Sequence, residues 1–210
     1  MKKHILTIFL FTSIIVLGQS FEGKITYENS YESKTKDLTN EQLSSLMGTV
    51  QEYIIDKGYY KNIFNGKLNQ FQVYRSDDNK FYSKFSMKNV LYWSNGDIEG
   101  EKVIDLKITK DKEVILGIKC DEIMMKTSQS IYKYYYNSKY PINPDHYTNH
   151  LFGNWYTYVE NSKSIPLKIV MDTPQFKSTS TAIKIEELEI KKEIFELPKI
   201  PLEPISNFGK

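Results

Sequence analysis

The feature that most limits the folds open to this chain is a rhythm. From Phe21 onward, short runs of alternating polarity are broken by turn residues about every 8 to 12 positions. Phe21, Gly23, Ile25 and Tyr27 alternate with Glu22, Lys24, Thr26 and Glu28, and period two marks a strand with one buried face. Val50–Asp56 and Tyr59–Phe64 meet at Lys57-Gly58, and Asn65-Gly66, both tolerant of positive φ, lead into Leu68–Arg75. Asp77-Asp78-Asn79 turns the chain into Phe81–Met87, and Asn95-Gly96 follows Leu91-Tyr92-Trp93. Ile104, Leu106 and Ile108 alternate with Asp105, Lys107 and Thr109, after which Asp111-Lys112 is a turn into Val114–Met125. Ile131–Asn137, Trp155–Glu160, Ile165–Asp172, Thr179–Ile190 and Phe195–Leu197 complete the strands. This order predicts an antiparallel meander, not a βαβ array. Composition agrees, because 16 Tyr and 11 Phe stand against a single Ala, Ala182. Aromatic residues favour a pleated, half-buried surface, whereas Ala is the best helix former.

Two segments break the rhythm. Over Asp37–Met47, Thr39 and Gln42 have the spacing of a capping box, Leu43, Leu46 and Met47 share a face, and Gly48 closes the turn. At Asn143-Pro144 a helix cap precedes a proline suited to the first helical position, and Gly153 is a C-terminal stop, which predicts a second short helix or turn near Pro144–Phe152. The expected fold class is mainly β, one domain of about 10 to 11 strands with two short helices.

The first 20 residues carry an address. Lys2 and Lys3 precede a largely apolar run, Ile5–Leu17, and Gly18 and Ser20 offer small residues for cleavage. That is the plan of a secretory signal peptide, with a run too short to span about 30 Å of hydrocarbon. Gln19, Ser20 and Phe21 include no cysteine to accept a lipid, and Cys120, the only Cys, reads as a small buried hydrophobe. The expected layout is a signal peptide over 1–20, a β domain over 21–198 and an extended tail over 199–210, where Pro198, Pro201 and Pro204 preclude helix. The expected location is periplasmic or secreted, with no transmembrane helix.

The formal charge of +2 falls to zero without Lys2 and Lys3, and Arg75 is the single Arg. A neutral chain without a basic cluster lacks the electrostatic footprint of a nucleic-acid binder. His146 and His150 stand four apart, as the two histidines of a zinc peptidase helix do, but Tyr147 occupies the place of the general-base Glu and no third ligand is evident. They read as polar surface. No Gly-x-Ser-x-Gly elbow and no Gly-rich phosphate loop occurs, and the Glu186, Glu187 and Glu189 cluster reads as solvated sheet edge. The expectation is no catalytic residue, no metal and no cofactor. Tyr132, Tyr134 and Tyr136 share one side of their strand, and Trp155, Tyr156 and Tyr158 follow. Tyr suits places with one dry and one wet end, so these residues form a Tyr-rich core and rim or a groove for a lipid-like ligand.

The C-terminal third adds a likeness. Ile183-Lys184-Ile185-Glu186-Glu187-Leu188-Glu189-Ile190 followed by Phe195-Glu196-Leu197-Pro198 resembles the ending of the LolA-like lipoprotein-carrier superfamily. Gly117-Ile118-Lys119-Cys120-Asp121, Tyr132–Tyr136, Ile165-Pro166-Leu167-Lys168 and the opening Phe21–Tyr27 are similar to GLPGLI-type and related envelope proteins of Bacteroidetes, although the Gly-Leu-Pro-Gly-Leu-Ile hexapeptide itself is absent. The resemblance implies an antiparallel open half-barrel whose helices lie against the concave face. It implies a non-enzymatic envelope protein binding a hydrophobic ligand, a lipid or a lipidated partner. Phe71, Val73, Ile104, Leu106 and Ile108 are the expected lining. The alternatives are an interaction module with a packed interior and, further off, a hydrolase.

Overall fold

The computed structural model describes residues 20–208, so the signal-peptide reading, Ser20 aside, lies outside the described residues. Twelve strands form one open sheet: β1 (Gly23–Ser33), β2 (Val50–Asp56), β3 (Tyr59–Phe64), β4 (Asn69–Arg75), β5 (Lys80–Phe85), β6 (Leu91–Asn95), β7 (Val103–Ile115), β8 (Ile118–Thr127), β9 (Ile131–Pro141), β10 (Ser164–Asp172), β11 (Phe176–Glu187) and β12 (Leu202–Pro204). Their order is β12-β6-β5-β4-β3-β2-β1-β11-β10-β9-β8-β7, with β1 and β11 central and β7 at one edge. Every pairing is antiparallel except β12 on β6. Helix α1 (Asn40–Met47) links β1 to β2, and α2 (Trp155–Ser162) precedes β10. The fold is the mainly β, open half-barrel with two helices that the rhythm and the resemblance predict.

The sheet has an inner face, which carries α2, and an outer face, and period two divides the side chains between them. Cross-strand partners show the inner set: Ile25 opposes Tyr53, Ile55 opposes Tyr60, Tyr60 opposes Tyr74, and Tyr74 opposes Phe81. These residues belong to the larger core cluster, together with Tyr134, Tyr147, Tyr158 and Ile165. The outer face of β2–β6 holds a second cluster of Ile54, Val73, Tyr82 and Leu91, which Phe195 closes. The residues after β11 therefore form a strap, and the stretch expected to be extended throughout takes a 3-10 turn at Ile205–Asn207. Ile190, Ile194, Leu197 and Ile200 pack on the outer face, and β12 adds a short parallel edge. Phe208 then lies 4.2 Å from Phe85 and 5.4 Å from Tyr92 between ring centroids, around the edge on the inner face.

Local signals explain most of the elements. The capping box at α1 forms as its spacing predicts: Gln42 N–H donates to Thr39 Oγ1 at 3.2 Å, and Thr39 N–H donates to Gln42 Oε1 at 2.8 Å. Lys57 and Gly58 both take positive φ in the β2–β3 turn.

Three expectations about strands need correction. Trp155–Glu160 is not a strand but most of α2; Trp155, Tyr158, Val159 and Ser162 recur at i, i+3, i+4 and i+7, a helical stripe hidden by the β preference of its aromatic residues. Near Pro144–Phe152 the turn alternative holds, as two 3-10 turns, Pro144–Tyr147 and Phe152–Asn154, the second containing a left-handed Gly153, and the second helix comes only later, as α2. Asp111-Lys112 does not end its strand: the chain bulges there, with a register shift between Thr109 and Glu113, and reverses at Leu116-Gly117, both at positive φ. Phe195 closes a 3-10 turn, Lys192–Phe195, in place of the expected strand Phe195–Leu197.

Candidate functional site

The inner face is mostly filled. The segment from Pro144 to Ser162 lies across it, tied to the turn after β6 by Leu151 N–H and Phe152 N–H, which donate to the Gly96 carbonyl at 2.7 and 3.0 Å. Asn79 Nδ2 donates to the Asn149 carbonyl at 3.0 Å. At its far end Tyr158 stacks on Tyr134 at 4.2 Å and donates its hydroxyl to the Ser164 carbonyl at 2.9 Å. A left-handed Asn154 starts α2, and a left-handed Lys163 closes it, its N–H donating to the Val159 carbonyl. Trp155 is thereby held over Tyr60, with centroids 5.9 Å apart.

Beside Trp155 a cavity of about 220 Å³ remains, lined by Tyr27 of β1, Gln51 and Tyr53 of β2, Tyr60 and Asn62 of β3, Tyr132 and Tyr134 of β9, and Pro166, Ile169 and Met171 of β10. Strands β3 and β9 are five places apart in the sheet. At about 4.8 Å per strand that is roughly 24 Å along a flat sheet, so walls shared by both strands require the sheet to curl into a trough. β11 contributes small residues to the same face, Ala182 opposite Tyr27 and Ser180 opposite Asn29, and the bulkier neighbours fill the middle.

No lining residue carries a charge at neutral pH. Burial holds the Tyr27, Tyr53, Tyr60 and Tyr134 phenols well above their usual ionisation range. Tyr27 Oη donates to the Pro166 carbonyl at 2.5 Å, and Tyr60 pairs with His150. Tyr53 Oη and Trp155 Nε1 are buried without a hydrogen-bond partner among the described residues. The polar exception to these aromatic walls is a pair of amides: Gln51 Nε2 donates to Asn62 Oδ1 at 2.6 Å.

No protein-family model matches the sequence, and no curated protein sequence matches it. Solved structures resemble it in backbone course. PNGF-II in its P21 crystals aligns with a TM-score of 0.47 and 11% identity over 88% of this chain, and in its C2 crystals with 0.48 and 10% over 89%. The chain spans about a third of the length of those PNGF-II structures. The Mycobacterium tuberculosis lipoprotein LppX aligns with a TM-score of 0.34 and 12% identity, covering 80% of this chain and 89% of its own.

The five expected lining residues do not share a face. Phe71 and Val73 lie on the outer face against Phe195 and the strap. Leu106 and Ile108 face inward opposite Met125 and Ile123, at the β7 edge, where Leu106 is half-buried and Ile108 is exposed. Ile104 sits at a bulge and is 61% exposed. Alternation tells which residues travel together but not which face is the hollow, and this produces the split. Sequence reasoning missed Gln51 and Asn62; the usable signal was an Asn in the middle of an apolar strand, where Asn is depleted.

The histidines are also placed differently. His146 ends in a 3-10 turn and His150 lies beyond it, so the two do not share a helix face. His150 is not wet surface but a buried core residue. Among the described residues no group of three or more His, Cys, Asp or Glu is placed to hold a metal ion, and no helix is long and apolar enough to cross a membrane.

Proposed function

We propose that this is an exported, non-enzymatic binding protein that holds a small hydrophobic ligand in the hollow of its half-barrel. The observation that carries the reading is the uncharged, aromatic cavity of about 220 Å³ beside Trp155. Its volume equals about seven water molecules at roughly 30 Å³ each. Replacing that water with apolar ligand surface supplies about 25 cal/mol per Å² shielded. The leader-like first 20 residues support export, and the likeness of the C-terminal strands to lipoprotein carriers supports a hydrophobic cargo. The size supports one small molecule or the end of a single chain, because the Pro144–Ser162 segment occupies the rest of the trough. Leu106 and Ile108 extend the same face toward β7 as its outer lip.

A second reading, an interaction module with a packed interior, is favoured by one observation. Edge strand β7 presents Ile104 and Val114 at 61% and 62% exposure along an edge that no other strand among the described residues covers. Native mass spectrometry with lipid extraction, on protein purified from its own host, separates the two. A stoichiometric small hydrophobic molecule supports the cavity reading. A clean apo mass together with no change in Trp155 fluorescence on titration with 1-octanol, in a Trp93→Phe background, supports the module.

A further inference from the structure

The wall of the cavity contains a recognition element that a purely greasy pocket does not need. Asn62 is about nine-tenths buried, and its only side-chain partner among the described residues is Gln51. One hydrogen bond from Gln51 Nε2 to Asn62 Oδ1 uses one of the four N–H groups of the two amides and leaves the whole NH2 of Asn62, the second N–H of Gln51 and the Gln51 carbonyl to bond elsewhere. Exchanging the O and N assignments of both amides swaps the roles of the two side chains but still leaves a free NH2 on one and a free carbonyl on the other, so an acceptor beside donors remains however the amides are oriented. These remaining atoms are not sealed in, unlike Tyr53 Oη and Trp155 Nε1, and both residues line the cavity.

From this geometry we infer that the ligand is an uncharged amide, with an apolar tail against Trp155, Tyr132 and Met171 and its own carbonyl and N–H paired with Asn62 and Gln51. The inference rests on the reading of this cavity as a ligand site and names the head group. An amide offers an acceptor and a donor side by side, which matches what the pair leaves free. An ester or ketone offers the acceptor alone and strands the free carbonyl. A carboxylate strands the carbonyl as well and brings a charge to a wall with no cation on it, where desolvation works against it.

The test is titration of the full mature chain carrying Trp93→Phe, so that Trp155 is the sole tryptophan, by fluorescence and by calorimetry at pH 8. The probes are octanamide, methyl octanoate, octanoate and 1-octanol. Octanamide is expected to bind about tenfold more tightly than methyl octanoate, and octanoate more weakly than either. Gln51→Leu and, independently, Asn62→Leu are expected to bring octanamide down to the level of the ester while 1-octanol binding persists; circular dichroism checks that each variant is folded. Equal binding of octanamide and methyl octanoate to the Trp93→Phe protein overturns the amide assignment and leaves the cavity reading standing. Absence of binding by all four probes overturns the cavity reading and the amide assignment with it.

Discussion

Tyr60 Oη lies 2.6 Å from His150 Nε2, with the two rings stacked at 14°. The contact joins β3 to the Pro144–Ser162 segment and fixes the wall of the cavity that Trp155 completes. His150 is enclosed by the rings of Tyr60, Tyr74, Phe81 and Trp155, and burial pulls its imidazole down to about 3. It is therefore neutral when folded, while in the unfolded chain it takes up a proton near pH 6.5. Above pH 6.5 neither state is charged and folding is unaffected. Between about pH 6.5 and 3 the unfolded state alone gains a proton, so stability falls, by at most about 1.4 kcal/mol per pH unit. Urea unfolding at pH 7.5 and pH 5 is expected to show this loss, and His150→Gln is expected to flatten it. An identical pH slope in the variant would show that His150 does not titrate between the two states.

Cys120 is fully buried on β8, and burial pushes its thiol up to about 11. The thiolate is the nucleophile, so almost none is present at neutral pH, and the side chain is also out of reach. Native protein is expected to resist iodoacetamide at pH 7.5 for hours and to label fully in urea. Rapid native labelling would place the thiol at the surface.

The extent to which the sequence announced the fold follows from the range of each signal. Capping boxes and Lys57-Gly58 turns are decided by a few neighbouring residues, so α1 and the β2–β3 hairpin were legible. Trp155–Ser162 was not, because the same aromatic residues suit a strand edge and a helix stripe, and only packing against Tyr60 and Tyr134 decides between them. The hollow was half legible. Alternation grouped Phe71 with Val73 and Ile104 with Leu106 and Ile108, but the choice of inner face depends on where the strap and α2 come to rest, which is a long-range matter. Phe195 carried the decisive clue: by covering Val73 it assigns that side of β4 to the outer face.

Gly23 shows a local requirement that only the sheet makes visible. It opens β1 between β2 and β11 at a φ of 155°, and a Cβ there would run into the Glu186 carbonyl oxygen. The Phe21 ring also crowds that position, but the harder obstacle is backbone, so the central β1–β11 pairing must shift. Gly23→Ala is expected to destabilise the fold by about 2–4 kcal/mol, read as a lowered urea midpoint. Gly117→Ala is the comparison. It too has positive φ but has open space where the Cβ would go, and it is expected to cost about 1 kcal/mol. Equal losses in the two variants would show that strain in φ alone, not the clash with β11, governs both sites.

The strap makes the last prediction. Phe195 is 4% exposed, lies 5.6 Å from Tyr59 between ring centroids, and closes the cluster of Ile54, Val73, Tyr82 and Leu91. Lys61 Nζ holds the neighbouring turn by donating to the Ile194 carbonyl at 3.0 Å. Removing the ring leaves a cavity over an otherwise apolar face, and such truncations cost about 3–5 kcal/mol. Phe195→Ala is therefore expected to lower the urea midpoint sharply, whereas Phe195→Leu, which refills most of the space, costs about 1–2 kcal/mol. Because the cluster lies on the outer face, octanamide binding to folded Phe195→Leu is expected to match that of the unsubstituted protein. A strap that merely rests on the surface would give a small loss for Phe195→Ala, within about 0.5 kcal/mol. The exposed face of Ile54, Val73 and Leu91 would then be available to a partner, and the two faces of the sheet would have to be assigned anew.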